Sequence, residues 1–313
     1  MLHVRLVCPP ETTGAALDVL RGAPGATHLV LLPGAALDPP GDVIEADVAR
    51  EAADELIDSL CGLGIDRTGG ITVGQIDTAL SDAADRAEKR APGEAADAVV
   101  WQELLARTGE ESRLTPTYVA FQTLACLLAA VGVITDSAVT IVGAMVVGPE
   151  FGPLAALAVG MVRRRWDLMR RAGLALAVGF PVAVALTAGG TLLGHWAGLF
   201  DAGVLRDGQQ VDFVYRVGWW SLIVAVLAGA AGMLSMTSAK SAALVGVFIS
   251  VTTVPAAGYA AVAAILGDWA RCLSSIGQLT VNLLGIVLAA TAVLLVRRAS
   301  WRVGDAGRPL PVG

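Results

Sequence analysis

Six stretches of this 313-residue chain are long and apolar enough to cross a bilayer, and no other feature restricts its fold as much. A spanning helix needs about 20 mainly apolar residues. The stretches 117–135, 137–162, 172–199, 217–236, 241–266 and 272–296 meet that need, and are called segments one to six. Four hold no charged residue; segment two holds Glu150, and segment three has His195 near its end. Charged residues make up 16% of the chain, against about 25% in an ordinary soluble domain. In lipid every backbone polar group must be satisfied internally, so the segments are read as helices of an integral membrane protein.

Charge is divided by position. Residues 1–110 carry 8 Lys/Arg and 19 Asp/Glu, whereas the rest carries 14 and 9. The acidic first part argues against nucleic acid as a partner, since that would need a basic surface. Short-loop arginines set orientation. Arg163, Arg164, Arg165, Arg170 and Arg171 lie between segments two and three, and Arg297, Arg298 and Arg302 follow segment six. With those on the cytoplasmic side, both termini are expected in the cytoplasm of a cell whose membrane the chain crosses repeatedly. Six of the seven tryptophans fall within a few residues of a proposed segment edge, where aromatic rings favour the interface.

Residues 1–77 read as a small α+β domain. Strands at 2–7, 28–32, 42–48 and 71–76 alternate with helices at 12–21 and 50–63, and Pro33-Gly34 is expected to end the second strand. Thr12 or Thr13 is expected to cap the first helix. The order β-α-β-β-α-β is the ferredoxin-like pattern. His3 and His28 read as isolated structural residues. Residues 78–113 read as a charged helical linker, in the main solvated, split by Pro92-Gly93; the membrane domain is placed at 114–298 and a cytoplasmic tail at 299–313. The four cysteines form no CxxC, and no metal or cofactor is expected.

Segment two contains two Gly-Pro pairs, Gly148-Pro149 and Gly152-Pro153, which together predict a break inside the span. Glu150 lies in that break, and an ionisable residue within a span is a functional candidate. Segment five carries Pro255, preceded by Thr252 and Thr253, and begins Ser-Ala as segment two does. Segments one to three and four to six would form two groups of three, and an odd count gives them opposite orientations. The expected architecture is therefore a 3+3 inverted repeat, whose interrupted helices mark a solute site. Lys240, in the polar link before segment five, joins the candidate set. Gln278 and Asn282 share a face of segment six, and interhelical hydrogen bonding explains them as well as a pathway does.

The strings GAMVVGPEFGPLAALA in segment two, SAALVGVFISVTTVPAAG in segment five and NLLGIVLA in segment six resemble the uncharacterised hydrophobic domain of prokaryotic membrane proteins, domain-of-unknown-function family 389. The resemblance covers about residues 115–298 and implies the architecture, with no activity attached. Members often have an uncharged residue where this chain has Glu150, and a Pro pair where it has Val254-Pro255.

The function expected is a transporter or channel for a small solute or ion, with the first domain as a cytoplasmic regulator. The alternative is a membrane-anchored sensor or scaffold whose first domain binds a metabolite or protein. An enzyme is not expected, because the spans contain no Asp pair, Ser-His pair or HExxH. The partners implied are the lipid bilayer, an unknown small solute or ion, and further copies of the chain, since sheet edges offer sites for pairing.

Overall fold

The computed structural model describes residues 1–76, 78–91, 98–201, 203, 205, 218–238 and 253–306, the last eight by backbone alone. It divides into two compact units, Met1–Leu104 and Leu105–Met236 with Ser241–Gly313.

In the first unit β1 (Leu2–Cys8), α1 (Pro10–Gly22), β2 (Ala26–Leu37), β3 (Pro40–Val48), α2 (Arg50–Gly62), the short α3 (Ile65–Thr68) and β4 (Gly70–Gln75) follow one another. The sheet is antiparallel in the order β2-β3-β1-β4. Alternation puts Leu2, Val4, Leu6 and Cys8 on one face of β1, where they pack with Ile44, Ala46 and Val48 of β3. Ala16 and Leu20 of α1 and Ala53, Leu56, Ile57 and Leu60 of α2 cover that face. Gly64 has φ +77, the left-handed turn that follows α2 and favours glycine.

Three local expectations are corrected here. Strand β2 runs through Pro33-Gly34 to Leu37, because it is an edge strand with a register shift between Leu32 and Ala36 that accommodates the proline. Helix α1 starts at Pro10 with Pro9 as its N-cap, and the Thr12 and Thr13 hydroxyls donate back to the Pro9 carbonyl rather than capping. The linker is solvated along most of α4 (Asp82–Arg90) but is buried at 98–101 and at Leu104. Ala84 and Ala87 of α4, together with Val99, Val100 and Leu104, are buried. Arg50, also buried, pairs with Glu103 at 3.0 Å, and Trp101 opens α5 (Trp101–Glu111) with its N–H on Asp54. Pro92-Gly93 lies outside the described residues.

The second unit continues with α6 (Pro116–Ile134), α7 (Ala138–Val147), α8 (Phe151–Arg163), α9 (Trp166–Trp196), α10 (Trp219–Thr237), α11 (Val254–Ile265) and α12 (Trp269–Ala306). Helices α6, α9, α10 and α12 are long and apolar enough to cross a membrane, and the pair α7–α8, bent by 54°, makes a fifth candidate. Segment five is described only from Thr253, as the 12-residue α11; Lys240, Thr252 and the first part of that segment lie outside the described residues. Helix α9 starts six residues before the apolar stretch. Its 31 residues span about 46 Å at 1.5 Å each, more than a hydrocarbon core of about 30 Å, so its first turns can carry Arg170 and Arg171. Large apolar side chains point outward along the helices, among them Phe121, Leu124 and Leu128 of α6 and Leu284 and Leu288 of α12. Exposed tryptophans stand at helix ends: Trp166 and Trp196 on α9, Trp219 and Trp220 on α10, Trp269 on α12. An apolar exterior bounded by aromatic residues is the surface a bilayer requires. The chain is a multi-pass membrane protein.

Element boundaries in this unit recur with one spacing. Helices α6 and α10 are each 19 residues long and start 103 apart, at 116 and 219. The same shift carries Phe151, the start of α8, to Val254, the start of α11, and Trp166 of α9 to Trp269 of α12. Packing recurs as well. One core cluster joins Leu154 with Ala225, Ala228 and Ile286, bordered by Phe151, Leu176, Leu283 and Val287. Moved by 103 positions these become Ala257, Gln122, Ala125 and Ala183, bordered by Val254, Leu279, Phe180 and Val184. All but the polar Gln122 belong to the other cluster, around Ala125, Phe180 and Val254. This register differs by one from the Ser137–Ser241 match read from sequence. The prolines do not correspond in it: Pro149 falls on Thr252 and Pro255 on Gly152.

Close helix contact depends on absent side chains. A Cβ on Gly258 of α11 would lie 2.7 Å from the Ala129 Cβ and 3.0 Å from the Cys126 carbonyl of α6, whereas one on Gly173 of α9 would meet nothing. Gly258→Leu should therefore lower the thermal stability of the detergent-solubilised protein by about 1–3 kcal/mol through overpacking. Gly173→Ala should leave it equal or raise it by up to about 1 kcal/mol, since Ala is the better helix former.

Candidate functional site

Segment two is interrupted for a local reason. Proline disfavours helical geometry in the residue before it, and Gly148 ahead of Pro149 has ψ 127, an extended conformation that ends α7. The chain turns helical again at Glu150, the N-cap of α8, with φ −69 and ψ −18. Pro153 does not add to the break. It is the third residue of α8, where a missing N–H costs nothing because first-turn donors have no partner within the helix. Gly152 leaves room for the end of α5: a Cβ there would be 2.6 Å from that of Glu111.

The break buries Glu150 to 1% exposure. Thr253, fully buried and itself the N-cap of α11, donates from Oγ1 to Glu150 Oε1 at 2.6 Å across 103 residues of chain. Two helix N-termini thus meet at one carboxylate. A hydrogen bond to a charged group contributes about 1.5–3 kcal/mol, and each N-terminus about 0.3–1 and at most ~2 kcal/mol. Burial of an ion costs several kcal/mol. These opposing quantities are comparable in size.

Helix α6 faces this carboxylate with polar groups that sequence reading passed over. Tyr118, Gln122 and Cys126 recur every four residues and so share one helix face. Tyr118 and Cys126 lie within electrostatic reach of Glu150, and Gln122 adjoins Cys126. Tyr118 also packs into the notch left by Gly179 of α9. The Tyr118 hydroxyl is buried and makes no hydrogen bond among the described residues, while the Gln122 amide is buried beside the Cys126 thiol. The four-residue spacing of polar side chains in a charge-free segment was the available signal.

Of the residues singled out from sequence, Gly148, Pro149, Glu150, Gly152, Pro153, Thr253 and Pro255 come together where α8 and α11 begin. Gln278 and Asn282 belong to a second polar group. Gln278 donates its amide N–H to Ser221 of α10, whose hydroxyl donates to Asn282 Oδ1 at 2.9 Å. Ser221 lies 103 residues after Tyr118 and Asn282 103 after Gly179, so the pair repeats the contact between α6 and α9. At the far end of α8, Arg298 of α12 donates to the Val162 carbonyl at 3.1 Å, a cation at a helix C-terminus.

In the first unit His3 and His28 are not isolated, as the sequence had indicated. His3 Nδ1 lies 2.9 Å from Asp47 Oδ1, His28 Nδ1 lies 2.7 Å from Asp47 Oδ2, and His28 Nε2 lies 2.8 Å from Ser81 Oγ. A register shift between Thr27 and Val30 and a φ of 49 at His28 turn that ring toward Asp47. Burial pushes the Asp47 carboxyl up, but hydrogen bonds and charge from both histidines outweigh it and hold it below the usual carboxylate range. Asp47 therefore favours the folded unit above the ordinary carboxylate range, and this contribution fades as pH falls through its depressed value.

The family model described as domain of unknown function (DUF389) matches residues 145–288, from the end of α7 into α12. That stretch, 144 of the 313 residues, is similar to the DUF389 family. The matched stretch contains Glu150 and Thr253, and the family description assigns no activity. An uncharacterised protein of Methanocaldococcus jannaschii, MJ0678, is 22% identical over 206 residues, covering 66% of this chain. The alignment covers 62% of that protein, so the chain matches less than two thirds of its relative's length. No solved structure matches the chain.

Within the DUF389 stretch the Glu150–Thr253 bond can be isolated by a double-mutant cycle of Thr253→Val and Glu150→Gln, read by unfolding in mixed micelles. A coupling energy of at least about 1 kcal/mol is expected. Additive effects would mean that the two side chains do not interact.

Proposed function

We propose that the protein is a membrane transporter or channel for a small solute or ion, built from two inverted halves of three segments each. The observation that carries this reading is the Glu150–Thr253 bond, formed by the N-cap residues of α8 and α11. Their spacing of 103 residues is also the spacing between the starts of α6 and α10 and of α9 and α12. With three spans in each half, equivalent helices run in opposite directions, so α8 and α11 lead away from their shared point toward opposite faces. Discontinuous helices that meet between inverted repeats are where secondary transporters bind solutes.

The arginines around α8 and α9 favour the cytoplasm for both termini. The first unit then lies in the cytoplasm, where the Asp47 network and the acidic surface suit it to regulation. Association of copies of the chain is part of the same proposal, with the open edges of β2 and β4 as its basis.

The test is flux into proteoliposomes holding the full chain. An imposed pH gradient should drive solute or ion entry at least about tenfold above protein-free vesicles, and Glu150→Ala should remove the pH-coupled component. Absence of flux across a panel of inorganic ions and small metabolites would overturn the reading.

A further inference from the structure

The donors around Glu150 identify what else could occupy its place. Thr253 offers a hydroxyl already turned toward the carboxylate at 2.6 Å. Helices α8 and α11, of 13 and 12 residues, both begin at this point, with Glu150 and Thr253 as their N-caps. From α6, Tyr118 offers a hydroxyl, more than nine-tenths buried and without a hydrogen-bond partner among the described residues, and Gln122 offers a buried amide beside the Cys126 thiol. Leaving such a hydroxyl unsatisfied in an apolar interior is unfavourable. Hydroxyls, an amide N–H and helix N-termini form a set that recognises negative charge.

We infer that the Glu150 carboxylate is a tethered occupant of an anion site, and that a small monovalent anion takes its place when Glu150 is protonated. The inference rests on the transport reading and names its substrate class: formate-like carboxylates, nitrate or halide. A proton joins the Glu150 carboxylate, the neutral acid loses its attraction to the two N-termini, and the free anion accepts the bonds from Thr253, Tyr118 and Gln122. One proton and one anion are then bound together, with no net change of charge at the site.

Other charges around the break leave this balance intact. Tyr118 and Cys126 are the titratable side chains of α6. Glu111 of α5 lies against Gly152, but Arg107 pairs with it at 3.1 Å. Helix α7 has no titratable side chain, α8 has Arg163 alone at its far end, and Tyr259 of α11 packs instead with Ala130 and Val133. Between Arg171 and His195 on α9 and between Cys272 and Arg297 on α12 there is none, nor is there any on α10.

Binding can be read without transport. The full chain in nanodiscs is titrated with choline formate, choline chloride and formamide while its thermal unfolding is followed. At about pH 8 Glu150→Ala should be stabilised by formate, with half-saturation at a concentration about tenfold below that of wild type, because the tethered competitor is gone. Formamide, which has the same shape without the charge, should do nothing. Tyr118→Phe and Gln122→Leu should each weaken the formate effect when combined with Glu150→Ala. If Glu150→Ala does not fold, wild type decides the matter: formate should stabilise it with half-saturation at about pH 5 at a concentration at least about tenfold below that at about pH 8. Equal stabilisation by formamide, or no formate effect in either protein, would overturn the inference. Formate binding without flux would remove the transport reading and leave the anion site standing.

Discussion

Everything else in the membrane unit is arranged around a carboxylate that ought not to be there. An ionisable group inside an apolar layer persists only if its surroundings supply partners. Here Pro149 ends α7, which frees Glu150 to begin α8, and Thr253 begins α11 at the same place. Without the break, residue 150 would continue a helix and its side chain would have no second helix terminus to meet. The hydrogen bond at 2.6 Å thus joins the start of α8 to the start of α11, beside apolar packing of α7 on α11.

Packing around that contact repeats. Leu154 of α8 rests on Ala225 and Ala228 of α10 and Ile286 of α12, while Ala257 of α11 rests on Ala125 of α6 and Ala183 of α9. Small residues on α6 and α10 let the half-helices approach, and Gly258 against Ala129 and Gly229 against Ile286 bring backbones close. The two halves differ in polarity at equivalent points. Tyr118 meets Gly179 in one, whereas Ser221 bonds to Asn282 in the other.

Much of this was legible in the chain before any coordinates. Composition gave the membrane class, the Gly148-Pro149 pair gave the break, and Glu150 stood out because its segment has no other charge. Alternation in Leu2, Val4 and Leu6 and helical spacing in Ala53, Leu56, Ile57 and Leu60 gave the core of the first unit. The repeat register was harder to read, since Gly- and Ala-rich helices resemble one another and the prolines sit at unequal positions. Packing partners, not sequence identity, carry the shift of 103. Thr253 could not be matched to Glu150 from sequence, because the two are related by position on helices that start together rather than by residue type. The asymmetric turn at His28 was hidden for a similar reason: a register shift in an edge strand is a property of pairing between strands.

The central claim is that equivalent positions 103 residues apart lie on opposite faces of the membrane. Asp167 is the second residue of α9 and Ala270 the second of α12, in the same register. In a chain whose four cysteines are replaced, a single cysteine at 167 or at 270 can be labelled with a membrane-impermeant maleimide in right-side-out and inverted vesicles. The inverted arrangement requires labelling of 270 from outside only and of 167 from the cytoplasmic side only. Labelling of both from the same side would contradict it.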